Sequence, residues 1–170
     1  MEVYILRHGE AIATGTPGYP NDDRPLTEDG IEKLTEAAKG IKRLVDSFDV
    51  IISSPLIRAL DTAKITAEAC GYNKKIQSTE YMLVGSPMRS LFNFLKDYNN
   101  KNKILLVGHE PHLGYLASFM LGIEEHVVEF KKGGLCRIDI TKFPPEKPGT
   151  LVWHLTQKQL VGLGRKNNRI

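Results

Sequence analysis

The stretch Met1-Glu2-Val3-Tyr4-Ile5-Leu6-Arg7-His8-Gly9-Glu10 decides the fold. Residues 2–6 are rich in the β-branched, aromatic and aliphatic side chains that predict a buried strand. This strand runs directly into Arg7, His8 and Gly9, which have no obvious place in an apolar core. Either a polar loop simply begins there, or the end of the strand carries functional groups. The choice depends on whether the fold can bring partners to His8.

Short β-rich runs alternate with longer helical patterns along the rest of the chain. Strands are predicted at 2–6, 50–52, 104–107, about 134–141 and 150–155, and helices at 31–48, 55–69, from 87 onward and after 111. Thr27 is predicted to cap the first helix, and Ser54-Pro55 and Ser86-Pro87 to begin the next two. Strands separated by helices require right-handed crossovers. We therefore expect a single α/β domain over residues 1–170, a three-layer α/β/α sandwich with a mostly parallel sheet.

Composition is that of an ordinary globular protein. Of the 170 residues, 41% are hydrophobic and 25% charged, and no apolar run approaches the roughly 18 residues of a membrane span. The N-terminus lacks a signal-peptide pattern, so we expect a cytoplasmic protein with no membrane partner. Its two cysteines predict free, buried thiols. The net charge of +3 suits an anionic substrate. The basic cluster at Arg165, Lys166 and Arg169 lies in a C-terminal tail that we expect to fray, so it does not predict nucleic-acid binding.

Three polar clusters follow three of the predicted strands. They are Arg7-His8-Gly9, Ser53-Ser54-Pro55 with Arg58 beyond it, and Gly108-His109-Glu110. In a parallel sheet, ligands bind beyond the carboxyl ends of the strands, so the clusters are expected to converge. Arginines and helix N-termini bind tetrahedral dianions, and glycine lets the backbone approach a ligand. A neutral imidazole among these cations is a competent nucleophile, which predicts phosphoryl transfer.

At these residues the chain resembles the histidine phosphatase superfamily, which has the phosphoglycerate mutase-like fold. The matching motifs are Leu6-Arg7-His8-Gly9-Glu10, Ser53-Ser54-Pro55-Leu56-Ile57-Arg58-Ala59 and Val107-Gly108-His109-Glu110. The resemblance implies that His8 is transiently phosphorylated, that Arg7 and Arg58 bind the phosphoryl oxygens, and that His109 stabilises the transferring group. Gly9 and Glu10 complete the first motif and are expected to contribute to substrate binding.

Within that superfamily, the chain is most similar to the small SixA-type phosphohistidine phosphatases. The similarity includes the short length, Asp23-Arg24-Pro25-Leu26-Thr27 before the first helix, and Trp153 in the last strand. It implies that Arg24 is a third phosphate contact. The short connection from Ala69 to Pro87 implies an open pocket that a side chain of another protein can enter. The expected partners are histidine-phosphorylated proteins of signal transduction, and the expected product is phosphate.

The proton donor is open at this point, and Glu80 and Glu110 are both candidates. An alkoxide leaves poorly without a proton, whereas imidazole is a far better leaving group. A site with only a weak candidate for the proton donor is therefore compatible with a substrate that contains a P–N bond. One alternative is a phosphatase of small phosphate esters that uses Glu80 or Glu110 as the acid. Another is a non-catalytic module that binds phosphoproteins. Although His109 and His112 are three residues apart, Pro111 intervenes and no further ligands are evident, so we expect neither metal nor cofactor.

Overall fold

The computed structural model describes residues 1–19 and 22–165, so Lys166 and Arg169 of the predicted basic cluster lie outside the described residues. Six strands and five helices are found in this part of the chain. In order they are β1 Glu2–Arg7, α1 Glu28–Leu44, β2 Val50–Ser53, α2 Ile57–Ala69, β3 Gln77–Ser78, α3 Met88–Leu95, β4 Lys103–Gly108, α4 His112–Met120, β5 Leu135–Asp139, β6 Thr150–Leu155 and α5 Gln157–Arg165. All five predicted strands are confirmed, and β3 and α5 are additional.

The strands form one sheet in the order β3-β2-β4-β1-β5-β6. Pairing is parallel between β1 and β4, between β2 and β4, and between β2 and β3. Strand β5 is antiparallel to both β1 and β6, so among the described strands five run in one direction and β5 runs in the other. The expected mostly parallel sheet is confirmed, and β1 and β4 lie at its centre.

Alternating side chains of β1 enter two separate apolar layers, as the two-residue period of a strand requires. Val3 and Ile5 pack in a core that includes residues of α3 and α4, while Tyr4 and Leu6 pack in one that includes residues of α1, α2 and α5. Helices therefore cover both faces, and the predicted three-layer sandwich is confirmed. None of the helices in the described ranges combines the length and apolarity that a membrane crossing requires.

The predicted helix starts are partly wrong. Helix α2 begins at Ile57 rather than Pro55, and its N-cap position is Leu56. The Ser54 hydroxyl is used elsewhere, because it contacts the His109 ring. Helix α3 begins at Met88, and the Ser86 hydroxyl donates to the Glu80 carbonyl at 2.7 Å. The Thr27 cap is confirmed, although α1 ends earlier than predicted, at Leu44. Cys70 and Cys136 are free and buried, as predicted.

Helix α5 was missed because Gly162 and Gly164 disfavour a helix in isolation. In the fold, α5 packs against α1 at a point where both backbones come close together. A Cβ atom on Gly40 of α1 would lie 2.0 Å from the carbonyl oxygen of Leu160, and one on Gly164 would lie 2.9 Å from that of Glu36. Glycine is therefore required at Gly40 for contact between these helices, while nothing lies within 4 Å of a Cβ on Gly162.

We expect Gly40→Ala to destabilise the protein by about 1–3 kcal/mol, because the added methyl group forces α1 and α5 apart. The matched substitution Gly162→Ala adds the same methyl group to a helical glycine with open space, and it should be neutral or stabilise by up to about 1 kcal/mol. Urea unfolding of both variants measures the two changes. Equal effects at the two positions would contradict the close contact at Gly40.

Candidate active site

The parallel pairing of β1 with β4 brings two of the predicted clusters together. Arg7 lies opposite Gly108 in the register, and the N–H of His8 donates to the Gly108 carbonyl at 3.1 Å. Strand β2 adds the third cluster, because the Ser54 N–H donates to the carbonyl of Val107 at 2.9 Å. The ring centroids of His8 and His109 are 5.1 Å apart. The predicted convergence at the carboxyl ends of the strands is therefore observed.

The His8 ring is held in one orientation by its own loop. Its Nδ1 lies 2.7 Å from the carbonyl oxygen of Gly9. A carbonyl can only accept a hydrogen bond, so Nδ1 carries the proton and Nε2 of the neutral ring has a free lone pair. The residue is only 7% exposed. Burial is the largest cause that lowers the pKa of His8; the Gly9 bond opposes it, the charges of Arg58, Arg7 and Arg24 add to it, and the pKa falls to about 4.

Gly9 serves a different purpose from the one expected. Its N–H donates to the Thr62 hydroxyl at 3.1 Å, and its carbonyl accepts from His8, so both backbone groups have partners inside the protein. A Cβ atom at this position would lie 3.3 Å from Leu26 and 3.5 Å from Leu34. This corrects the expectation that Gly9 gives a ligand room to approach the backbone. The missing side chain leaves room for packing against α1 instead, and the carbonyl orients His8.

Two arginines, Arg7 and Arg58, are fixed by their terminal nitrogens. Nη1 of Arg7 donates to the carbonyl of Phe130 at 2.6 Å, and Arg58 donates from Nη1 to the Asp22 carbonyl and from Nη2 to the Asp22 carboxylate, both at 2.8 Å. The Nε atoms of both arginines, and Nδ1 of His109, are buried and lack a partner among the described residues. Buried polar atoms are nearly always hydrogen-bonded, so these groups indicate a site for a ligand rich in oxygen atoms.

His109 is buried and is also neutral at physiological pH. Burial, followed by the neighbouring His8 and Arg58, lowers its pKa to about 3. Its Nε2 lies 2.7 Å from the Ser54 hydroxyl, which also accepts the N–H of Leu56 at 3.3 Å. We assign the hydroxyl hydrogen of Ser54 to Nε2, which places the ring proton on the unpaired Nδ1 and makes that atom a donor.

Asp22 is a site residue that the sequence analysis missed. Its carboxylate contacts Arg58, and it also contacts Nε and Nη2 of Arg24 at 2.8 Å each, so one carboxylate joins the two arginines. Burial raises the pKa of Asp22, but the hydrogen bonds from Arg58 and Arg24 outweigh it and hold the pKa below its usual value. Asp22 thus holds Arg24 close to Arg58, and the role of Arg24 as a third phosphate contact stays a prediction. The signal in the sequence was an acidic residue two positions before Arg24.

Neither Glu10 nor Glu80 is brought to the two histidines by a described contact. The carboxylate of Glu10 is nearly half exposed and lies 4.0 Å from Lys33 and 3.9 Å from Lys132. Glu80 is exposed in a 3-10 turn over Glu80–Met82, and its carboxylate makes no hydrogen bond or ion pair with the described residues. His112 is also occupied, because its Nε2 donates to the Tyr81 carbonyl at 3.1 Å.

Glu110 follows His109 directly, but its carboxylate is used for structure. One oxygen accepts the N–H of Phe130 at 2.6 Å, and the other lies 3.3 Å from both the N–H of Gly114 and Nε2 of His126. The expectation that Glu110 is a proton donor is therefore corrected: both of its carboxylate oxygens already have partners, so it is not a free acid. The contacts with Phe130 and His126 could not be read from the spacing of these residues. Within the described ranges, no group of three potential metal-ligating side chains is found.

Comparisons with known proteins agree with this geometry. The model of the histidine phosphatase superfamily, branch 1, matches residues 3–82, which include Arg7, His8 and Arg58. An uncharacterized protein of a Picosynechococcus species is 35% identical over 143 residues, covering 79% of this chain and 82% of the relative. A probable phosphoglycerate mutase GpmB of Yersinia pestis is 27% identical over 189 residues, covering 85% of this chain and 87% of the relative.

The fold is also similar to that of a solved structure. The protein histidine phosphatase SixA in complex with tungstate superimposes with a TM-score of 0.81 and 21% sequence identity, over 94% of this chain and 99% of that one. At this identity the match shows the fold, which is the phosphoglycerate mutase-like fold that the motifs predict. The sequence similarity, the family model and the fold agree, and the chain therefore belongs to the histidine phosphatase superfamily.

Proposed function

We propose that this protein is a phosphatase that acts through phosphorylated His8 and that its substrates are phosphohistidine side chains of proteins. The observation that carries this proposal is the environment of His8: a buried, neutral imidazole with Nε2 unprotonated, beside His109 and the charges of Arg7 and Arg58. Phosphoryl transfer requires positioning and neutralisation of charge more than covalent chemistry by the protein, and this pocket supplies both.

In the first step, Nε2 of His8 attacks the phosphorus atom of the substrate. The new bond joins Nε2 to phosphorus, and the P–N bond of the substrate breaks. Its electron pair returns to the substrate ring, which carries a proton on its other nitrogen and therefore leaves as neutral imidazole. The unpaired Nε groups of Arg7 and Arg58 and the Nδ1 of His109 are the donors available to the phosphoryl oxygens. The hydrogen bond from Nδ1 of His8 to Gly9 stabilises the positive charge that develops on the His8 ring.

In the second step, water attacks phosphorylated His8. An O–P bond forms, the Nε2–P bond breaks, and the electron pair returns to His8, which is again neutral. The water loses a proton to solvent or to the phosphate product. The low pKa of His8 favours this step, because a weakly basic nitrogen is a better leaving group. The residues assigned to these steps need no metal ion.

Among the described residues, no free carboxylic acid contacts His8, and this supports a P–N bond over an alkyl ester as substrate. Both oxygens of Glu110 are bound to backbone and to His126, and Glu80 contacts none of the described site residues. The Asp22 carboxylate is held ionised by Arg58 and Arg24, so it is a poor acid. Imidazole leaves more readily than an alkoxide, and an enzyme without a positioned acid is therefore better suited to phosphohistidine.

An apolar cleft beside the site supports a protein rather than a small molecule as the carrier of the phosphoryl group. The cleft has a volume of about 430 Å³ and begins at Pro111 and His112, next to the loop that holds His109. Its walls include three exposed large side chains, Val84, Tyr115 and Phe119. Exposed apolar surface of this kind is typical of protein contacts. We infer that it receives apolar residues that flank the phosphohistidine.

His8→Ala should reduce hydrolysis of a phosphohistidine protein by about 10³-fold or more, because it removes the nucleophile. Wild type and variant are compared on a phosphorylated phosphotransfer domain and on a panel of small phosphate esters. Wild type should favour the phosphoprotein. A second measurement uses substrate that is labelled on its phosphoryl group, with the reaction quenched rapidly and without acid. The wild-type protein should then carry an alkali-stable label, and the His8→Ala protein should carry none.

Other outcomes would favour the alternatives. Faster turnover of sugar phosphates, lost in Glu80→Gln or Glu110→Gln, would favour a phosphatase of small esters, the class of substrate that the name of the Yersinia relative suggests. If wild type and His8→Ala bind the phosphoprotein equally well, and wild type shows neither a label on His8 nor turnover, a non-catalytic binding module would be favoured. Equal activity of wild type and His8→Ala would rule out His8 as the nucleophile.

We expect the ring of His8 to titrate near pH 4 and not near the usual 6.5, since burial and the nearby arginines oppose protonation. The neutral nucleophile is therefore retained throughout the range from pH 5 to 8. Histidine ring NMR signals recorded against pH measure this value in the free protein. Arg58→Met should raise the pKa of His8 but leave it below 6.5, because burial remains the larger cause. A His8 pKa above 6 in the wild type would contradict the buried, neutral state.

Val84→Asp should raise the KM for a phosphohistidine protein by about fivefold or more, because a charge in the cleft opposes apolar contact. Turnover of a small aryl phosphate should be unchanged. Val152→Asp is a matched control, because the two valines are similarly exposed, Val84 at 53% and Val152 at 44%. Val152 lies on the edge strand β6 and does not line the cleft. Equal effects of the two variants, or an equal effect on the small substrate, would exclude a role of the cleft in substrate binding.

A further inference from the structure

Glu110 connects the loop after β4 to residues 126–130. Its side chain is only 11% exposed. One carboxylate oxygen accepts the N–H of Phe130 at 2.6 Å, and the other contacts Nε2 of His126 at 3.3 Å. A buried carboxylate needs such partners, because an unpaired charge is costly to remove from water. These contacts fix the position of Phe130 relative to the loop that holds His109.

Residues 130–134 in turn hold the end of β1. The carbonyl of Phe130 accepts from Nη1 of Arg7 at 2.6 Å. The N–H of Gly133 lies 3.2 Å from the Arg7 carbonyl and 3.0 Å from the His8 carbonyl, and the N–H of Arg7 donates to Gly134 at 3.0 Å. The backbone of Arg7 and His8 and the side chain of Arg7 are thus held by the same short segment.

We propose that Glu110 is a positioning residue for the phosphate site, a role that rests on the proposed function and extends it. By holding the Phe130 N–H, Glu110 sets the carbonyl that binds one end of the Arg7 guanidinium. The Nε of the same group, which has no partner among the described residues, then stays available to a ligand. Arginine has a flexible side chain, so fixing its guanidinium before the ligand arrives improves binding.

The effect of Glu110→Gln separates this role from that of a proton donor. Glutamine keeps an oxygen that can accept from Phe130, so the positioning contact is retained and only the weaker contact at 3.3 Å with the Gly114 N–H is lost. Glutamine cannot, however, supply the proton that a carboxylic acid supplies. A positioning residue therefore tolerates glutamine and does not tolerate alanine. A general acid tolerates neither, and its loss is confined to substrates with poor leaving groups.

The test is calorimetric binding of inorganic phosphate, which needs no turnover, in a double-mutant cycle with Arg7→Ala. We expect Glu110→Ala to weaken phosphate binding by about tenfold in the wild-type background and by less than about twofold in the Arg7→Ala background. Glu110→Gln should stay within about twofold of wild type. Glu125→Ala is the matched control: Glu125 is exposed, makes no hydrogen bond or ion pair with the described residues, and should bind phosphate as wild type does.

Additive losses from Glu110→Ala and Arg7→Ala would overturn the proposal, as would an equal loss in Glu110→Gln and Glu110→Ala. If Glu110→Ala does not fold, Glu110→Asp replaces it, because the shorter side chain withdraws the carboxylate from Phe130 and should show the same coupling to Arg7. Phosphate binding with the expected coupling but without turnover of any substrate would refute the proposed phosphatase and support the positioning role. Absence of phosphate binding by wild type would overturn both.

Discussion

Strands β1 and β4 lie side by side and parallel at the centre of the sheet, and the N–H of His8 continues their ladder by donating to Gly108. This pairing brings His8 and His109, which are about a hundred positions apart in the chain, to within 5.1 Å between ring centroids. Strand β2 pairs with β4 on its other side and places Ser54 beneath His109. The other contacts of the site depend on this arrangement of strand ends.

Burial at these strand ends determines the charge of the site. Two histidines with pKa values of about 4 and about 3 are neutral at physiological pH, and they lie beside three guanidinium cations, those of Arg7, Arg58 and Arg24. The protein balances part of that charge with Asp22, whose carboxylate contacts both Arg58 and Arg24. A phosphoryl group offers the arginines a partner of the same kind, with more oxygen atoms. Burial therefore keeps the histidines neutral, whereas the guanidinium group of arginine is a cation in water and in a protein alike.

The loop that follows β4 combines two tasks in adjacent residues. His109 contacts Ser54 within the site, while Glu110 holds the segment that contains Phe130 and His126. The contact of Glu110 with Phe130 also affects the site, because the Phe130 carbonyl binds Arg7. A carboxylate next to a predicted catalytic histidine resembles a proton donor in sequence. Its partners in the fold show a structural role instead, and this difference bears on the substrate, since a site without a free acid suits a good leaving group.

The sequence by itself determined five of the six described strands, the layer architecture and the meeting of Arg7, His8, Arg58 and His109, because these follow from local apolar patterns and from the rule that parallel strands end on one edge. The tertiary structure alone decided which groups are left free. The pairing of Glu110 with Phe130, the contact of Asp22 with two arginines and the packing of α5 on Gly40 each join residues distant in sequence. Local propensity carries no information on such contacts, so the role of a side chain became clear only when its partners were in place.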